Sequence, residues 1–425
     1  MNYSEAIQFL YGLRLFGAKF GLENTFKLAA LAGNPQEKLR FIHVAGTNGK
    51  GSTCAMLESI YRAAGLRAGL FTSPHLVSFR ERIQINRELI SENDVVRFLS
   101  KLQPLLAEFP EGHHPTFFEV ITVMALQFFA ERDCDLVIWE TGLGGRLDAT
   151  NIVTPLASVI TNIALDHQQW LGDTLAAIAF EKGGIIKPGV PVVTTVEEAE
   201  ALAVVKKIAA DKNAPLQIIA SNRPAGMPIS SLHGAHQEKN AALAAATVKL
   251  LQAQIPVSDG QIRTGLADVH WPGRLQLVQK PDGQKILLDG AHNVAGAKVL
   301  REAIERDFPQ MRRTLILGVF EDKDWRRICE ILAPLAETIF TVPLSSERTA
   351  DPRQLAEACY EINPAAKISV YQSSGEALGK ASSARPDLVV VTGSLYLIGE
   401  ALESLGLSAC VKSERELNEW TAVIK

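Results

Sequence analysis

Residues 41–52, FIHVAGTNGKGS, carry an apolar run of strand length into a glycine-rich turn that ends in Gly49, Lys50, Gly51 and Ser52. A helical pattern follows, with Gly65 as its stop signal. Glycines let backbone N–H groups converge on phosphate oxygens, the helix N-terminus adds positive potential, and a lysine neutralises the outer phosphates. The spacing is shorter than in the usual P-loop: two residues separate the first glycine from Gly-Lys here, where the usual motif has four. This strand, turn and helix predict a nucleotide phosphate site.

Apolar runs of strand length alternate with helical patterns along nearly the whole chain, which is typical of parallel sheets with crossover helices. We therefore expect an α/β protein with two domains. The N-terminal one, residues 1–280, would be a P-loop ATPase-like domain with a mostly parallel sheet, and residues 285–425 would form a smaller, Rossmann-like α/β domain. The polar segment 279–284, QKPDGQ, is the predicted linker. The predicted strands are 41–44, 68–71, 136–139, 156–160, 190–194, 216–219, 286–288, 314–317, 338–342, 368–371 and 388–391.

Composition narrows the classes of function. The net charge is -4 and Lys and Arg form no run, so the chain shows no electrostatic signature of nucleic-acid or anionic-membrane binding. Small molecules are the expected partners. Glu5 interrupts the N-terminal stretch where a signal peptide would need apolar residues, and we expect a cytoplasmic protein.

Polar side chains follow several predicted strands, at the sheet edge where ligands bind in open α/β folds. Glu140 closes one apolar run and precedes the glycine-rich loop TGLGGRLDATN. Such a carboxylate is a candidate magnesium ligand. His75 and His167 follow two other strands, and periodicity does not decide which of the two would bind a metal ion. Lys182, in EKGG, has the pattern of an ordinary solvated helix residue.

Eight strings in order extend these observations: AGTNGKGS, FTSPHL, ETGLGGRLDATN, ALDHQQWLG, EKGGIIKPG, WPGRLQ, DGAHN and GSLYLIGE. Over about residues 22–400 they resemble folylpolyglutamate synthase and its bifunctional relative dihydrofolate synthase, in the Mur-ligase superfamily. The resemblance implies a central Mur-ligase type ATP-binding domain followed by a glutamate-ligase domain. It also implies an ATP-dependent ligase that joins L-glutamate to dihydropteroate, to the glutamate tail of reduced folates, or to both.

The resemblance also implies roles for individual residues. ATP is a substrate, two Mg²⁺ ions assist, and Lys182 is carried as a carbamate; Gly183 stands where alanine is common in the family. The implied ATP-binding residues are Gly49, Lys50, Gly51, Ser52, Asn240, Arg274, Asp289 and His292. The implied metal ligands are Ser73, Glu140, His167 and Lys182, and the implied catalytic residues are Lys50, Lys182 and His167. The implied pterin or folate site comprises Leu22, Glu23, Asn24, Thr25, Thr116, Phe117, Phe118, Glu119, Leu147, Asp148 and Ala149.

Two alternatives remain open at this point. Another amide ligase of the Mur superfamily is the nearer one, although LDATN and GSLYLIGE favour the folate branch. The other is a nucleotide-gated binding protein that hydrolyses ATP to switch a partner. GRLDATN favours a bifunctional enzyme, and the family suggests a monomer.

Overall fold

The computed structural model describes residues 1–14, 21–220, 230–408 and 414–418. Within these ranges the chain forms two α/β domains, each built around one sheet. The strands of the first sheet are β1 (Phe41–Ala45), β2 (Ala68–Phe71), β3 (Ile83–Ile85), β4 (Glu88–Leu89), β5 (Leu136–Glu140), β6 (Ala157–Ile160), β7 (Val192–Thr194) and β8 (Leu216–Ile218). Their order is β4-β3-β2-β5-β1-β6-β7-β8.

This first sheet is parallel from β2 to β8, while β3 and β4 form an antiparallel hairpin at its edge. Every residue of β1, β2, β5, β6 and β7 is buried, because helices cover both faces of the sheet. The helices of this domain are α1 (Tyr3–Leu13), α2 (Glu23–Leu31), α3 (Lys50–Ala63), α4 (Glu92–Leu102), α5 (Phe117–Glu131), α6 (Gln168–Leu171), α7 (Leu175–Gly183), α8 (Ala199–Asp211), α9 (Ala235–Leu250) and α10 (Asp259–Ala267).

Apolar layers cover both faces of the first sheet. Helices α1, α2, α4 and α5 pack on one face, where the rings of Phe71 and Trp139 stack with centroids 4.4 Å apart. Helices α3, α9 and α10 cover the other face. Strand β1 lies between β5 and β6, and the crossover of its helix α3 leads away from β6 to β2. This change of direction opens a crevice at the carboxyl end of β1.

The second domain has a six-stranded sheet within the described residues, of order β13-β12-β11-β14-β10-β9. Its strands are β9 (Gln276–Gln279), β10 (Lys285–Asp289), β11 (Arg313–Leu317), β12 (Thr338–Thr341), β13 (Lys367–Val370) and β14 (Leu388–Thr392). Its helices are α11 (Val294–Asp307), α12 (Trp325–Leu332), α13 (Pro352–Ile362), α14 (Ser374–Ala384) and α15 (Leu395–Ser404). The predicted strands are therefore confirmed, whereas β3, β4 and β9 were not predicted.

The predicted linker at residues 279–284 is wrong. Strand β9 pairs antiparallel with β10, and Lys280 N–H donates to the Gln284 carbonyl across the turn between them. The polar, glycine-containing composition of QKPDGQ belongs to a hairpin turn, which has the same residue preferences as a linker. The second sheet accordingly begins at Gln276, and we propose a domain division just before it.

Candidate active site

The glycine-rich turn joins β1 to α3, as predicted, and its glycines are required by close neighbours. Gly49 has a positive φ of 84°, and a Cβ atom there would lie 2.6 Å from Asn240 Oδ1. A Cβ atom on Gly46 would lie 1.8 Å from Thr161 Oγ1. Lys50 opens α3 and folds back, with Nζ donating to the Gly46 carbonyl at 3.0 Å. The loop thus presents a lysine and a helix N-terminus to the crevice.

Glu140 and Ser73 meet beside this loop because they follow the neighbouring strands β5 and β2. Glu140 is 3% exposed, and its Oε2 accepts a hydrogen bond from Ser73 N–H at 3.3 Å. Burial raises the pKa of the Glu140 carboxyl to about 7, against the opposing charge of Lys50. The Glu140 side chain lines the cavity. Because burying an ionised carboxylate costs desolvation free energy, a bound cation would stabilise its charged form.

His167 and Lys182 complete the predicted metal set. His167 follows β6, and burial lowers its pKa to about 3, which keeps the ring neutral and able to bind a metal. Lys182 lies buried in α7, and its Nζ donates to the Gly46 carbonyl at 2.8 Å. Burial and the charge of Lys50 lower the pKa of Lys182 to about 7. The pattern of a solvated helix residue was therefore misleading for Lys182, because the tertiary fold buries it.

The structure also distinguishes the two histidines that the sequence left open. His75 is 2% exposed and does not line the cavity. Its Nε2 lies 2.9 Å from the Glu414 carbonyl, and its Nδ1 accepts from Arg82 Nε at 2.8 Å. Burial and the charge of Arg82 hold the pKa of His75 well below its usual value. With both ring nitrogens engaged, His75 has no lone pair for a metal, and His167 is the candidate.

The second domain closes the crevice from the opposite side. Asp289 ends β10, and its carboxylate accepts from Leu275 N–H at 2.8 Å and Ala291 N–H at 3.0 Å. Its charge lies beside half-buried Arg274. The cavity between the two domains has a volume of about 770 Å³. Its lining includes all of the predicted ATP-binding and metal-binding residues: Gly49, Lys50, Gly51, Ser52, Ser73, Glu140, His167, Lys182, Asn240, Arg274, Asp289 and His292.

The predicted folate residues divide into two groups. Thr116, Phe117, Phe118, Glu119, Leu147, Asp148 and Ala149 line the cavity. Residues 22–25 do not, although the neighbouring Gly21 does. The assignment of Leu22, Glu23, Asn24 and Thr25 therefore stays a prediction. These residues lie at the start of α2, and the Thr25 side chain is fully buried, within 3.4 Å of Glu119 Oε1.

Some of these lining residues hold the cavity wall in place through local hydrogen bonds and packing, whereas one aromatic ring stays available to a ligand. Thr116 and Glu119 cap α5 reciprocally, with Thr116 N–H donating to Glu119 Oε2 at 2.7 Å. Asp148 accepts from Leu143 N–H at 2.7 Å and so shapes the glycine-rich loop. Phe117 is buried against Phe79. Half-buried Phe118 is the aromatic ring that remains available to a flat ligand.

A contact between the domains was missed by the sequence analysis. Asp166, next to His167, forms an ion pair with Lys323 of the second domain at 2.7 Å, and both side chains are buried. Asn293 Nδ2 donates to Asp166 Oδ2 at 3.1 Å and to Asn48 Oδ1 of the phosphate loop at 3.1 Å. Lys323 lies in the loop after β11. It is six residues beyond Leu317, the last residue of that strand, so the strand-end rule that placed Glu140 does not single it out.

The site brings the phosphate loop, the Lys50 ammonium and the Glu140 carboxylate together at one cavity. A cation there opposes the negative charge that develops when a phosphoryl group moves, and partial enclosure limits the access of water to a reactive product. Within the described ranges, no three His, Cys, Asp or Glu side chains converge as a ready metal cluster.

Comparisons with known proteins agree with this geometry. The Mur ligase middle domain family matches residues 44–256, and the Mur ligase, glutamate ligase domain family matches residues 273–395. A Bacillus subtilis protein named dihydrofolate synthase/folylpolyglutamate synthase is 36% identical over 431 residues, covering 95% of this chain and 99% of the relative.

Two solved structures are similar over almost the whole chain. Mycobacterium tuberculosis folylpolyglutamate synthase complexed with ADP and AMPPCP is 29% identical with a TM-score of 0.87, covering 95% of this chain and 99% of that one. An Escherichia coli protein in complex with DHPP and ADP is 30% identical with a TM-score of 0.85, covering 96% and 98%.

Proposed function

This chain belongs to the folylpolyglutamate synthase and dihydrofolate synthase family of Mur ligases, and from that premise we propose how its cavity performs the family's reaction. It is an ATP-dependent ligase that attaches glutamate to folates. The finer proposal is that it accepts both dihydropteroate and the glutamate tail of reduced folates, and that it releases ADP and phosphate. The observation that carries the proposal is that Lys50 and Glu140 of the first domain line the same cavity as Asp289 and His292 of the second.

The first step converts a poor leaving group into a good one. A carboxylate oxygen of the pteroate or folate attacks the γ-phosphorus of ATP, the bond from that phosphorus to the bridging oxygen breaks, and ADP leaves. An acyl phosphate results. Lys50 offsets charge on the transferring phosphoryl group, and α3 presents its N-terminal N–H groups to the phosphates.

The second step forms the amide. The neutral amine of glutamate attacks the acyl carbon, phosphate leaves with the former carboxylate oxygen, and the nitrogen releases one proton to give the neutral amide. Because water would hydrolyse the acyl phosphate, closure of the second domain over the cavity protects the intermediate. Asn293 and Lys323 hold this closed arrangement through Asp166 and Asn48.

Magnesium fits the residues present. Glu140 is a buried carboxylate at the cavity, and its raised pKa reflects burial that a bound cation would offset. Ser73 and His167 would supply the other protein ligands. When bound, Mg²⁺ would withdraw charge from the phosphate oxygens.

The carbamate on Lys182 would provide a second anionic ligand. A neutral amine attacks carbon dioxide, forming an N–C bond and releasing one proton, so the reaction requires the unprotonated lysine. Burial lowers the pKa of Lys182 to about 7, which leaves a substantial neutral fraction at physiological pH. We include carbamylated Lys182 and two Mg²⁺ ions in the proposal on this basis.

We further propose that the chain acts on small molecules as a monomer in the cytoplasm, where ATP is available. No helix in the described part of the chain has the length and apolar character needed to cross a bilayer.

An amide-forming assay tests the proposal. The chain is incubated with ATP, magnesium and glutamate, and with dihydropteroate or tetrahydrofolate in parallel; products are separated by mass. Both acceptors should gain glutamate, and Lys50→Ala should lose both activities while keeping its circular dichroism spectrum. Product from one acceptor alone would refute bifunctionality. Near-normal turnover by Lys50→Ala would refute the role of the phosphate loop.

A further inference from the structure

Residues 414–418, here called the C-terminal strap, return from the second domain to the first. The Leu417 side chain is 1% exposed and belongs to the apolar layer of the first domain. Glu414 Oε2 accepts from Phe79 N–H at 2.7 Å and from Ser78 Oγ at 3.0 Å. The strap is therefore built into the first domain by both apolar and polar contacts.

The strap also touches the second domain. The Arg415 carbonyl accepts from the Tyr396 hydroxyl at 2.9 Å, and the Arg415 guanidinium forms an ion pair with Glu403. Both partners belong to α15. Neighbouring residues of the strap thus bind opposite domains next to the cavity, and Leu417 and Asn418 are part of its lining.

Asn418 organises the loop that follows β2. Its Nδ2 donates to the His75 carbonyl at 3.0 Å, and its Oδ1 accepts from Arg82 Nη2. The His75 ring completes the arrangement, because its Nδ1 accepts from Arg82 Nε while its Nε2 donates to the Glu414 carbonyl. Two elements of the strap, a side chain and a carbonyl, thus fix the position of one arginine.

Arg82 is a buried cation whose side-chain acceptors, within the described residues, are neutral. Its guanidinium lies over the Phe117 ring at 5.4 Å and lines the cavity. The carboxylates of Glu81 and Glu140 both contribute to the electrostatic environment of Arg82, and the contribution of Glu81 is the larger. An arginine fixed in this way is arranged to accept an anionic group from a ligand, since its fork of N–H donors matches a carboxylate.

We propose that the C-terminal strap is an active-site positioning element, in which Asn418 and His75 hold the Arg82 guanidinium at the cavity wall to bind the carboxylate that is to be activated. This inference rests on the proposed function, because that function supplies the carboxylate. Arg82 lies over the Phe117 ring, on the predicted folate side of the cavity, and its electrostatic environment includes the Glu140 carboxylate, on the phosphate side. Arg82 is the residue that touches substrate, and Asn418 and His75 are positioning residues.

The test compares equilibrium binding of pteroate with binding of its methyl ester, followed by pterin fluorescence. The wild-type chain should prefer the acid by about tenfold, because a charged hydrogen bond is lost in the ester. Asn418→Ala should lower the ratio of acid affinity to ester affinity, because Arg82 loses an acceptor that orients it. Asn418→Asp should narrow it further, since a carboxylate beside the guanidinium neutralises the charge that the ligand needs.

The Asn418→Asp variant also separates positioning from simple stabilisation. It keeps the acceptor for Arg82 and can form an ion pair with it, so a purely structural role predicts near-normal binding. Asn363→Ala is the matched control. Asn363 bridges the Ala333 and Ala336 carbonyls at 2.9 and 3.0 Å and does not line the cavity. It should lower the thermal midpoint without changing the ratio.

Retention of the acid preference in both Asn418 variants, or no preference in the wild-type chain, would overturn the proposal. The two hypotheses fail separately. Loss of the preference in the Asn418 variants without any amide product from the wild-type chain would refute the proposed function and leave the positioning role standing. Amide product from the wild-type chain, together with an unchanged acid preference in the Asn418 variants, would refute the positioning role and leave the proposed function standing.

Discussion

Breaking the buried ion pair between Asp166 and Lys323 should destabilise the joined domains. The two charged atoms are 2.7 Å apart, and the side chains are 7% and 8% exposed. Removing one partner of a buried pair typically costs about 3–5 kcal/mol, because the remaining charge is left desolvated. Asp166 keeps other donors, His167 N–H at 2.9 Å and Asn293 Nδ2 at 3.1 Å. We therefore expect Lys323→Met to lower the free energy of unfolding by about 2–3 kcal/mol.

A double-mutant cycle isolates the pair. Urea denaturation is measured for the wild-type chain, Lys323→Met, Asp166→Asn and the double variant, and the coupling energy should be about 2 kcal/mol. The matched control is Lys207 with Asp211, whose atoms are also 2.7 Å apart but whose side chains are 75% and 60% exposed. That exposed helical pair should show coupling of about 0.3–0.5 kcal/mol.

The dependence of the free energy of unfolding on pH, below neutral pH, provides a second test of the Asp166–Lys323 pair. Burial would raise the pKa of Asp166, but its hydrogen bond to His292 and the charges of His167, His292 and Lys323 lower it far below the usual value. A lowered pKa gives stability that is present above the unfolded pKa and is lost as the pH falls. Lys323→Met should therefore show a shallower acid decline than the wild-type chain. Equal coupling in the buried and exposed pairs, with identical acid profiles, would refute the reasoning.

The remaining predictions concern the cavity. In the absence of magnesium at pH 8, Glu140→Gln should raise the free energy of unfolding by up to about 3 kcal/mol, because burial raises the Glu140 pKa to about 7. This gain in stability should vanish as the pH falls toward 4.5, where the carboxyl is protonated in both the folded and the unfolded chain. A gain that persists at acid pH would contradict the prediction. His167→Ala should raise the magnesium concentration needed for half-maximal turnover at fixed ATP, and an unchanged titration would remove it from the metal set. Lys182→Ala should lose ligation and regain part of it with bicarbonate or a small carboxylate; rescue by an alkylamine instead would indicate an unmodified lysine. Phe118→Ala should raise KM for the folate acceptor with little effect on KM for ATP, whereas equal changes in both would indicate a general packing defect.

Much of the active site was predictable because its residues follow local rules. A helix that begins after a glycine turn, a carboxylate at the end of a buried strand and alternating apolar runs are all encoded over short stretches of chain. Lys50 and Glu140 therefore lie where the sequence placed them. The hairpin at residues 279–284 shows the limit of such rules, since a turn and a linker share the same composition.

The sequence by itself determined the two-domain α/β architecture, the phosphate loop and, through ordered motifs, the family. Only the tertiary structure decided that His75 is engaged by Arg82 and Glu414, that residues 22–25 lie off the cavity, and that Lys182 is buried. The physical reason is that these outcomes depend on contacts between distant segments: His75 and Asn418 are separated by 343 positions. Burial and hydrogen-bond partners of this kind leave no periodicity in the chain, whereas strand ends and glycine turns do.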